Sequence, residues 1–227
     1  MVPVRKFAEH TWLQRTCLLR SYDFIAAQCY AIPTTGLTLE QWLEKHGITH
    51  IKRLLLSNGG GPENAQLKPI ADVTEKIQYK YTGGVEHGDL HDLAGSGVPP
   101  NMTNYDFVLL PQTTEHLYNP HRAFQEIADR MAPCGYLYVH QPWINKHHST
   151  PFHFWHGTGT AQILLLETVG LKVVDYRDWG NWEYIERVLK YPKKKWPQLH
   201  RLKGPIASET KRYVQTALLA RKLPCNI

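Results

Sequence analysis

The chain has 227 residues, enough to bury the core of one large domain. Charged residues make up 20% of it and hydrophobic residues 42%, an ordinary globular composition that argues against disorder. No run of apolar residues is long enough for a transmembrane helix, and residues 1–10 lack the apolar core of a signal peptide. We therefore expect a soluble cytoplasmic protein.

The formal net charge of +6 is concentrated in one segment. Residues 190–203 read KYPKKKWPQLHRLK and contain six basic and no acidic side chains, whereas the rest of the chain balances 20 basic against 20 acidic residues. A protein that binds nucleic acid usually spreads its basic side chains along a surface that follows the phosphate backbone. The pattern favours a solvated loop or a local anionic contact, and nucleic acid is not a favoured partner.

Four cysteines are far apart in the sequence, with no CxxC pair and no metal-ligand spacing: Cys17, Cys29, Cys134 and Cys225. A chain of this length does not need disulfides to be stable. We expect free thiols in a reducing compartment.

Short apolar runs alternate with helical periods along the chain, which is typical of an α/β sheet. In the first half, the pattern predicts a helix over residues 38–46, a strand over 48–57, a short helix interrupted at Pro69 and a strand over 76–81. In the second half, it predicts strands over 105–110, 135–140 and 171–176, helices over 119–131 and 160–169, and a final strand near the sheet edge over 212–221.

Strands that alternate with helices through short connections pair in parallel. Open parallel sheets bind ligands beyond the carboxyl ends of their strands. This places residues 58–61, Asp89, residues 111–116 and residues 140–145 along one candidate rim.

Residues 105–143 read YDFVLLPQTTEHLYNPHRAFQEIADRMAPCGYLYVHQPW. This order of strand, Glu-His pair, proline, amphipathic helix, Pro-x-Gly and strand resembles the middle of class I S-adenosylmethionine-dependent methyltransferases of the type 11 group. Upstream, EHGDLHDL at 86–93 resembles the strand end whose acidic residue approaches the adenine, and the later segments keep the family order to residue 222. The resemblance covers about residues 84–222.

The resemblance implies an α/β, Rossmann-like sheet of seven strands, mostly parallel with an antiparallel last strand and helices on both faces. Residues 48–227 would form the methyltransferase domain, behind an N-terminal helical extension of residues 1–47. Residues 179–205 would be an insertion that covers the acceptor.

The resemblance also implies S-adenosylmethionine as cofactor. The corresponding cofactor-binding residues are Asn58, Gly59, Gly61, Asp89, Leu90, Pro111 and Gln112. The family's acidic residue after the first strand is replaced here by Ser57 or Asn58, and the second strand end offers Tyr81 and Thr82 without a carboxylate. These departures keep open an alternative, a methyltransferase-like binding or scaffold module without catalysis.

Methylation of a hydroxyl requires a base, and histidine suits this task near neutral pH. Five of the 13 histidines fall within residues 140–156. The candidate catalytic bases are His116, His153 and His140. In related quinone-precursor methyltransferases a Glu-x-x-Glu-His pattern holds a divalent metal, so Glu115 and His116, with Gln112 in the first position, predict a weak magnesium site.

Aromatic and polar side chains crowd the C-terminal loops, as a sugar or aromatic acceptor requires. The candidate acceptor-binding residues are Trp143, His148, Trp155 and Trp179. The overall character resembles small glycan methyltransferases, including those of large algal viruses, which would place the protein in a host cytoplasm. We expect O-methylation of a sugar hydroxyl, with a small phenol as the second choice and RNA, based on residues 190–203, as the third.

Overall fold

The structure is a computed structural model that describes residues 39–57, 62–79, 87–144, 153–179 and 215–225, together with Glu186 and Lys190. Most of the predicted N-terminal extension and of the predicted 179–205 insertion lies outside these ranges. Within them, no helix is long and apolar enough to cross a membrane.

Four helices and eight strands make up the described part of the chain. The helices are α1 (Leu39–Lys45), α2 (Pro62–Leu67), α3 (Pro120–Arg130) and α4 (Gly159–Thr168). The strands are β1 (Ile51–Leu56), β2 (Ala71–Lys76), β3 (Gln78–Tyr79), β4 (His87–Gly88), β5 (Tyr105–Pro111), β6 (Met131–Pro142), β7 (Leu171–Trp179) and β8 (Gln215–Lys222). Single 3-10 turns cover Lys68–Ile70 and Thr114–His116.

Six strands form one sheet in the order β2-β1-β5-β6-β8-β7. The first four of these pair in parallel, and β8 runs antiparallel to both β6 and β7. A separate parallel pair joins β3 to β4. The predicted parallel sheet with an antiparallel last strand is confirmed, but the described residues form six strands of this sheet rather than seven. The last strand lies inside the sheet, and β7 is at its edge.

One face of the sheet packs against α1. Trp42 of this helix is buried with Leu54, Phe107 and Leu219 of the strands. Because strand side chains alternate between faces, the neighbours of these residues point the other way. There α4 contacts β7 and β8. The sheet is therefore buried between helices on both faces, as the sequence predicts.

The helix boundaries follow from local chemistry. Asn119 caps α3 by accepting a hydrogen bond from the Arg122 N–H at 3.1 Å, and proline occupies the first helical position. Thr158 caps α4 by accepting from the Ala161 N–H at 3.2 Å. Gly170, in the left-handed region with φ of 78°, follows that helix.

The predicted strand over residues 76–81 is wrong in position. The second strand of the sheet is β2, which ends at Lys76, while Gln78 and Tyr79 pair with β4 instead. As an edge strand with mostly exposed side chains, β2 lacks the apolar alternation on which a sequence-based prediction depends. Tyr81 and Thr82, expected at its end, lie outside the described residues.

The expectation of free thiols is wrong for two cysteines. Cys134 and Cys225 form a disulfide, with Cα atoms 5.3 Å apart across 91 residues of sequence. They meet because β8 runs antiparallel beside β6, so that the end of β8 lies near the start of β6. Spacing in the sequence carries no sign of this pairing. Cys17 and Cys29 lie outside the described residues.

Candidate functional site

The carboxyl ends of β1, β5 and β6 meet at one edge of the sheet, as parallel pairing requires. Ser57, directly after β1, lies 2.7 Å from Thr113 between the two hydroxyl oxygens, and both residues are buried. This contact closes the end of the first strand against the turn after β5. Asn58, Gly59 and Gly61, predicted to bind the cofactor, lie outside the described residues.

His140, a predicted base at the end of β6, is paired with a carboxylate. Its Nδ1 lies 3.0 Å from Oε1 of Glu63 in α2, and the two side chains are only 13% and 12% exposed. Burial by itself raises the pKa of Glu63, but the hydrogen bond and the attraction to His140 outweigh this and, with a backbone hydrogen bond, hold the pKa below its ordinary value. The pair is therefore an ionised carboxylate that orients an imidazole.

The other ring nitrogen of His140 faces two glutamine amides. Nε2 lies 2.8 Å from Oε1 of Gln215 at the start of β8, and 3.2 Å from Nε2 of Gln112. Gln112 has a left-handed backbone with φ of 49°, and its N–H donates to the His140 carbonyl at 2.6 Å. The sequence predicts Gln112 as a cofactor contact, whereas the structure directs its side chain to His140.

Two further polar side chains border this pair. Tyr138, two residues before His140 and on the same face of β6, lies 6.4 Å away between ring centroids. Burial and the nearby charge of Glu63 raise the pKa of Tyr138, which keeps the phenol protonated. Arg177 lies across β8 from His140 in the strand register. Burial lowers the pKa of Arg177, and the interaction with Tyr138 opposes this.

The other predicted bases form a second cluster. His116 is buried in the Thr114–His116 turn, and its Nε2 lies 3.8 Å from Oε1 of the fully buried Glu115. The ring of His153 lies 5.9 Å from that of His116 and 4.4 Å from that of His156. The structure thus brings His116 and His153 together, apart from the pair formed by His140.

This second cluster lies on the opposite face of the sheet. Thr114 donates to Oε1 of Gln141, and Gln141 donates in turn to the Gly157 carbonyl at 2.7 Å. Gln141 follows His140 in β6, so the two side chains point to opposite faces. Phe154 N–H also donates to the Glu115 carbonyl at 2.9 Å, which fixes the loop over residues 153–157 onto this turn.

The magnesium site at Glu115 and His116 stays a prediction. Among the residues that the structure describes, no group of three or more histidine, cysteine, aspartate or glutamate side chains has an arrangement that could hold a metal ion. Gln112, expected in the first position of this site, contacts His140.

The predicted acceptor-binding residues lie in different surroundings. Trp155 uses its indole N–H to donate to the Thr114 carbonyl at 2.8 Å, and its ring occupies the space above Gly157. Trp143 is half-buried just after β6. Trp179 ends β7, but its side chain is not described, and His148 lies outside the described residues.

Asp89, the predicted adenine contact after β4, is held by His91. Its Oδ1 accepts from the backbone N–H of His91 at 3.0 Å and from Nδ1 at 2.6 Å. The Asn119 N–H donates to Nε2 of His91, so this ring carries its proton on Nδ1. Asp89 is 23% exposed, and Oδ2 has no hydrogen-bond partner among the described residues. It is therefore oriented to accept from an amine or a hydroxyl, next to the buried Leu90.

Two exposed aromatic residues beside Asp89 were not predicted from the sequence. Tyr118 stacks on His91 with ring centroids 3.7 Å apart, and Phe154 meets Tyr118 edge-on at 6.2 Å. Their exposures are 54% and 49%, high for large aromatic side chains. They form an aromatic surface on the rim. Only contacts between distant parts of the chain reveal it.

No family model and no curated protein matches the chain. Several hundred solved structures do, and one similar structure is an S-adenosylmethionine-dependent methyltransferase from Mesorhizobium loti, with a TM-score of 0.52, 11% identity and coverage of 81% of this chain and 98% of that one. Another is the 1,6-didemethyltoxoflavin-N1-methyltransferase of Burkholderia thailandensis, solved with S-adenosylhomocysteine, with a TM-score of 0.51, 13% identity and coverage of 98% and 94%. At these identities the likeness establishes the fold alone.

Proposed function

We propose that this chain, which has the fold of S-adenosylmethionine-dependent methyltransferases, transfers a methyl group to a hydroxyl acceptor. One observation carries the proposal beyond the fold. At the carboxyl edge of the sheet, where such folds bind ligands, an imidazole is oriented by a buried carboxylate, His140 by Glu63. A base whose ring is fixed by a third group is the usual arrangement for activating a hydroxyl.

The residues at the rim fit an adenosine-containing cofactor. Asp89 presents a carboxylate oxygen to an amine or hydroxyl donor, and Leu90 supplies an apolar wall beside it. Residues 58–61 and Pro111 complete the proposed cofactor-binding segments. When bound, S-adenosylmethionine would supply an electrophilic methyl group on a positively charged sulfur, with the neutral thioether as the leaving group.

His140 is the proposed catalytic base. The acceptor hydroxyl takes the place of the Gln112 amide at the Nε2 lone pair of His140. Its O–H bond breaks, the proton goes to Nε2, and the electron pair forms the new bond to the methyl carbon. The carboxylate of Glu63 holds Nδ1 and stabilises the imidazolium that results. The proton then leaves Nε2 to water. His116 and His153 remain the weaker candidates, because their cluster fixes a loop on the other face.

A sugar hydroxyl of a glycan is the proposed acceptor. The half-buried Trp143, three residues after His140, offers a flat apolar face of the kind on which sugars stack. A phenol is the second choice, because its hydroxyl, with a pKa of about 10, ionises far more readily and needs less help from a base. Since one structural neighbour is named as an N1-methyltransferase, amines form the contrasting class in a screen.

Calorimetric titration with S-adenosylmethionine and S-adenosylhomocysteine, metal-free and then with magnesium, tests the proposal first. We expect micromolar binding, on the order of −8 kcal/mol. Release of S-adenosylhomocysteine in the presence of sugars, phenols and amines then identifies the acceptor class. Absence of both heat and thermal stabilisation at millimolar cofactor would overturn the enzyme proposal and leave the binding module.

A further inference from the structure

Nε2 of His140 lies between two amides that offer it opposite hydrogen-bonding groups. Gln215 presents its carbonyl oxygen at 2.8 Å, and this atom can only accept. Gln112 presents its amide nitrogen at 3.2 Å, and this atom can only donate. The two glutamines come from different elements: Gln112 lies in the turn after β5, and Gln215 begins β8.

The two contacts suit two different protonation states of the ring. Glu63 accepts at Nδ1, so Nδ1 carries a proton in both states. When the ring is neutral, the lone pair of Nε2 accepts a hydrogen bond from Gln112. When the ring is an imidazolium, the proton on Nε2 is donated to Gln215. The partner for each state is already in place.

The backbone at Gln112 supports a specific role for this residue. Its φ of 49° is uncommon for a residue with a side chain and is energetically unfavourable. The conformation is held by the short hydrogen bond from its N–H to the His140 carbonyl. Gln112 therefore contacts His140 twice, through its backbone N–H and through its side-chain amide.

We propose that Gln112 and Gln215 are positioning residues, one for each protonation state of His140. Gln112 stabilises the neutral imidazole that receives a proton, and Gln215 stabilises the imidazolium that forms. The Gln215 carbonyl that receives the new N–H is in place before the proton arrives, which lowers the cost of proton transfer. The role of these glutamines in catalysis rests on the proposed function, whereas their effect on the protonation of His140 does not.

Among the described residues, the charged and titratable groups near His140 include Glu63 from α2, Tyr138 from its own strand and Arg177 from β7. Substitution of either glutamine by methionine, which has similar volume, leaves all three unchanged and alters no charge. A change in the titration of His140 would then report the lost hydrogen bond.

The test is an NMR titration of the His140 ring in the full chain, with the resonance assigned from a His140→Gln variant. Gln112→Met is expected to raise the pKa of His140 and Gln215→Met to lower it, each by about half to one pH unit. Gln215→Glu adds a negative charge at Nε2 and is expected to raise the pKa. Gln125→Met, which removes a hydrogen bond to Asp129 on α3, is the matched control and is expected to shift nothing.

Shifts of the same sign in Gln112→Met and Gln215→Met, or shifts below about 0.2 pH unit, would overturn the inference. The titration needs neither cofactor nor acceptor, so it succeeds or fails independently of methyl transfer. If the protein is also an active methyltransferase, the acidic limb of its pH–rate profile is expected to move in the same direction in each variant.

Discussion

Two histidine clusters lie at the carboxyl edge of the same sheet, on opposite faces, and they differ in what holds them. His140 is bound at both ring nitrogens by side chains from α2, β8 and the turn after β5. The cluster of His116, His153 and His156 lies where a loop is fixed to the Thr114–His116 turn through backbone carbonyls. In our proposal the first arrangement controls a proton, whereas the second lies where a loop is fixed to a turn. Crowding of histidines in a sequence does not distinguish the two.

The largest expected difference between the two clusters is the effect of a histidine substitution on kcat. His140→Gln should lower kcat by about 10²- to 10⁴-fold, because the proposed base is lost, with the Kd for S-adenosylmethionine unchanged. His153→Gln, the matched substitution in the other cluster, should leave kcat within about threefold. Initial rates of S-adenosylhomocysteine release provide both numbers. An equal loss in His153→Gln would reverse the assignment of the base.

The next largest effect lies far from both clusters, at the start of β6. Cys134→Ser should reduce the free energy of unfolding by about 2–4 kcal/mol, because the disulfide that closes a long loop is lost. Guanidinium denaturation of wild type and variant, each with and without reductant, measures this. Wild-type protein treated with reductant should match the variant, and kcat in the folded range should be unaffected. A variant as stable as the oxidised wild type would show that the disulfide does not form in solution.

Glu63→Gln tests the ion pair of the first cluster through the pH dependence of the free energy of unfolding. The pKa of Glu63 is lowered in the folded protein, so its ionised form stabilises the fold above the ordinary carboxyl pKa of 4.5. That stabilisation is lost as the pH falls through the lower, folded-state pKa. We expect wild type to exceed the variant by about 1–3 kcal/mol at pH 7 and by progressively less below pH 4.5 in urea denaturation. A difference that stayed constant down to pH 3 would contradict the ion pair with His140.

The smallest expected effect concerns the cofactor side of the rim. Asp89→Asn replaces the accepting oxygen Oδ2 by a donor while keeping an oxygen for His91. The Kd for S-adenosylmethionine should rise about tenfold, with the melting temperature of the apo protein nearly unchanged. Asp92→Asn, at an exposed turn that hydrogen-bonds Gly95, is the control and should bind normally. Equal affinity in wild type and Asp89→Asn would remove Asp89 from the cofactor site.

Sequence patterns predicted the sheet because its central strands are buried on both faces and must be apolar throughout. They also placed Asp89 and His140 at strand ends, since the carboxyl edge of a parallel sheet follows from strand order. They missed β2, whose edge position removes the need for apolar side chains. They also missed Glu63, Gln215 and Tyr118, because each acquires its role from a partner far away in the chain.

The sequence by itself indicated the α/β architecture and the start of α3 at Asn119, because hydrophobic periodicity and capping are local properties of the chain. The antiparallel last strand followed from the resemblance to methyltransferases. Only the tertiary structure decided which histidine meets a carboxylate, that Gln112 turns to His140 and that Cys134 reaches Cys225. Each of these contacts joins elements that lie next to each other only after the sheet has formed. Their energies depend on distance and burial, which appear when the strands are placed in the order β2-β1-β5-β6-β8-β7.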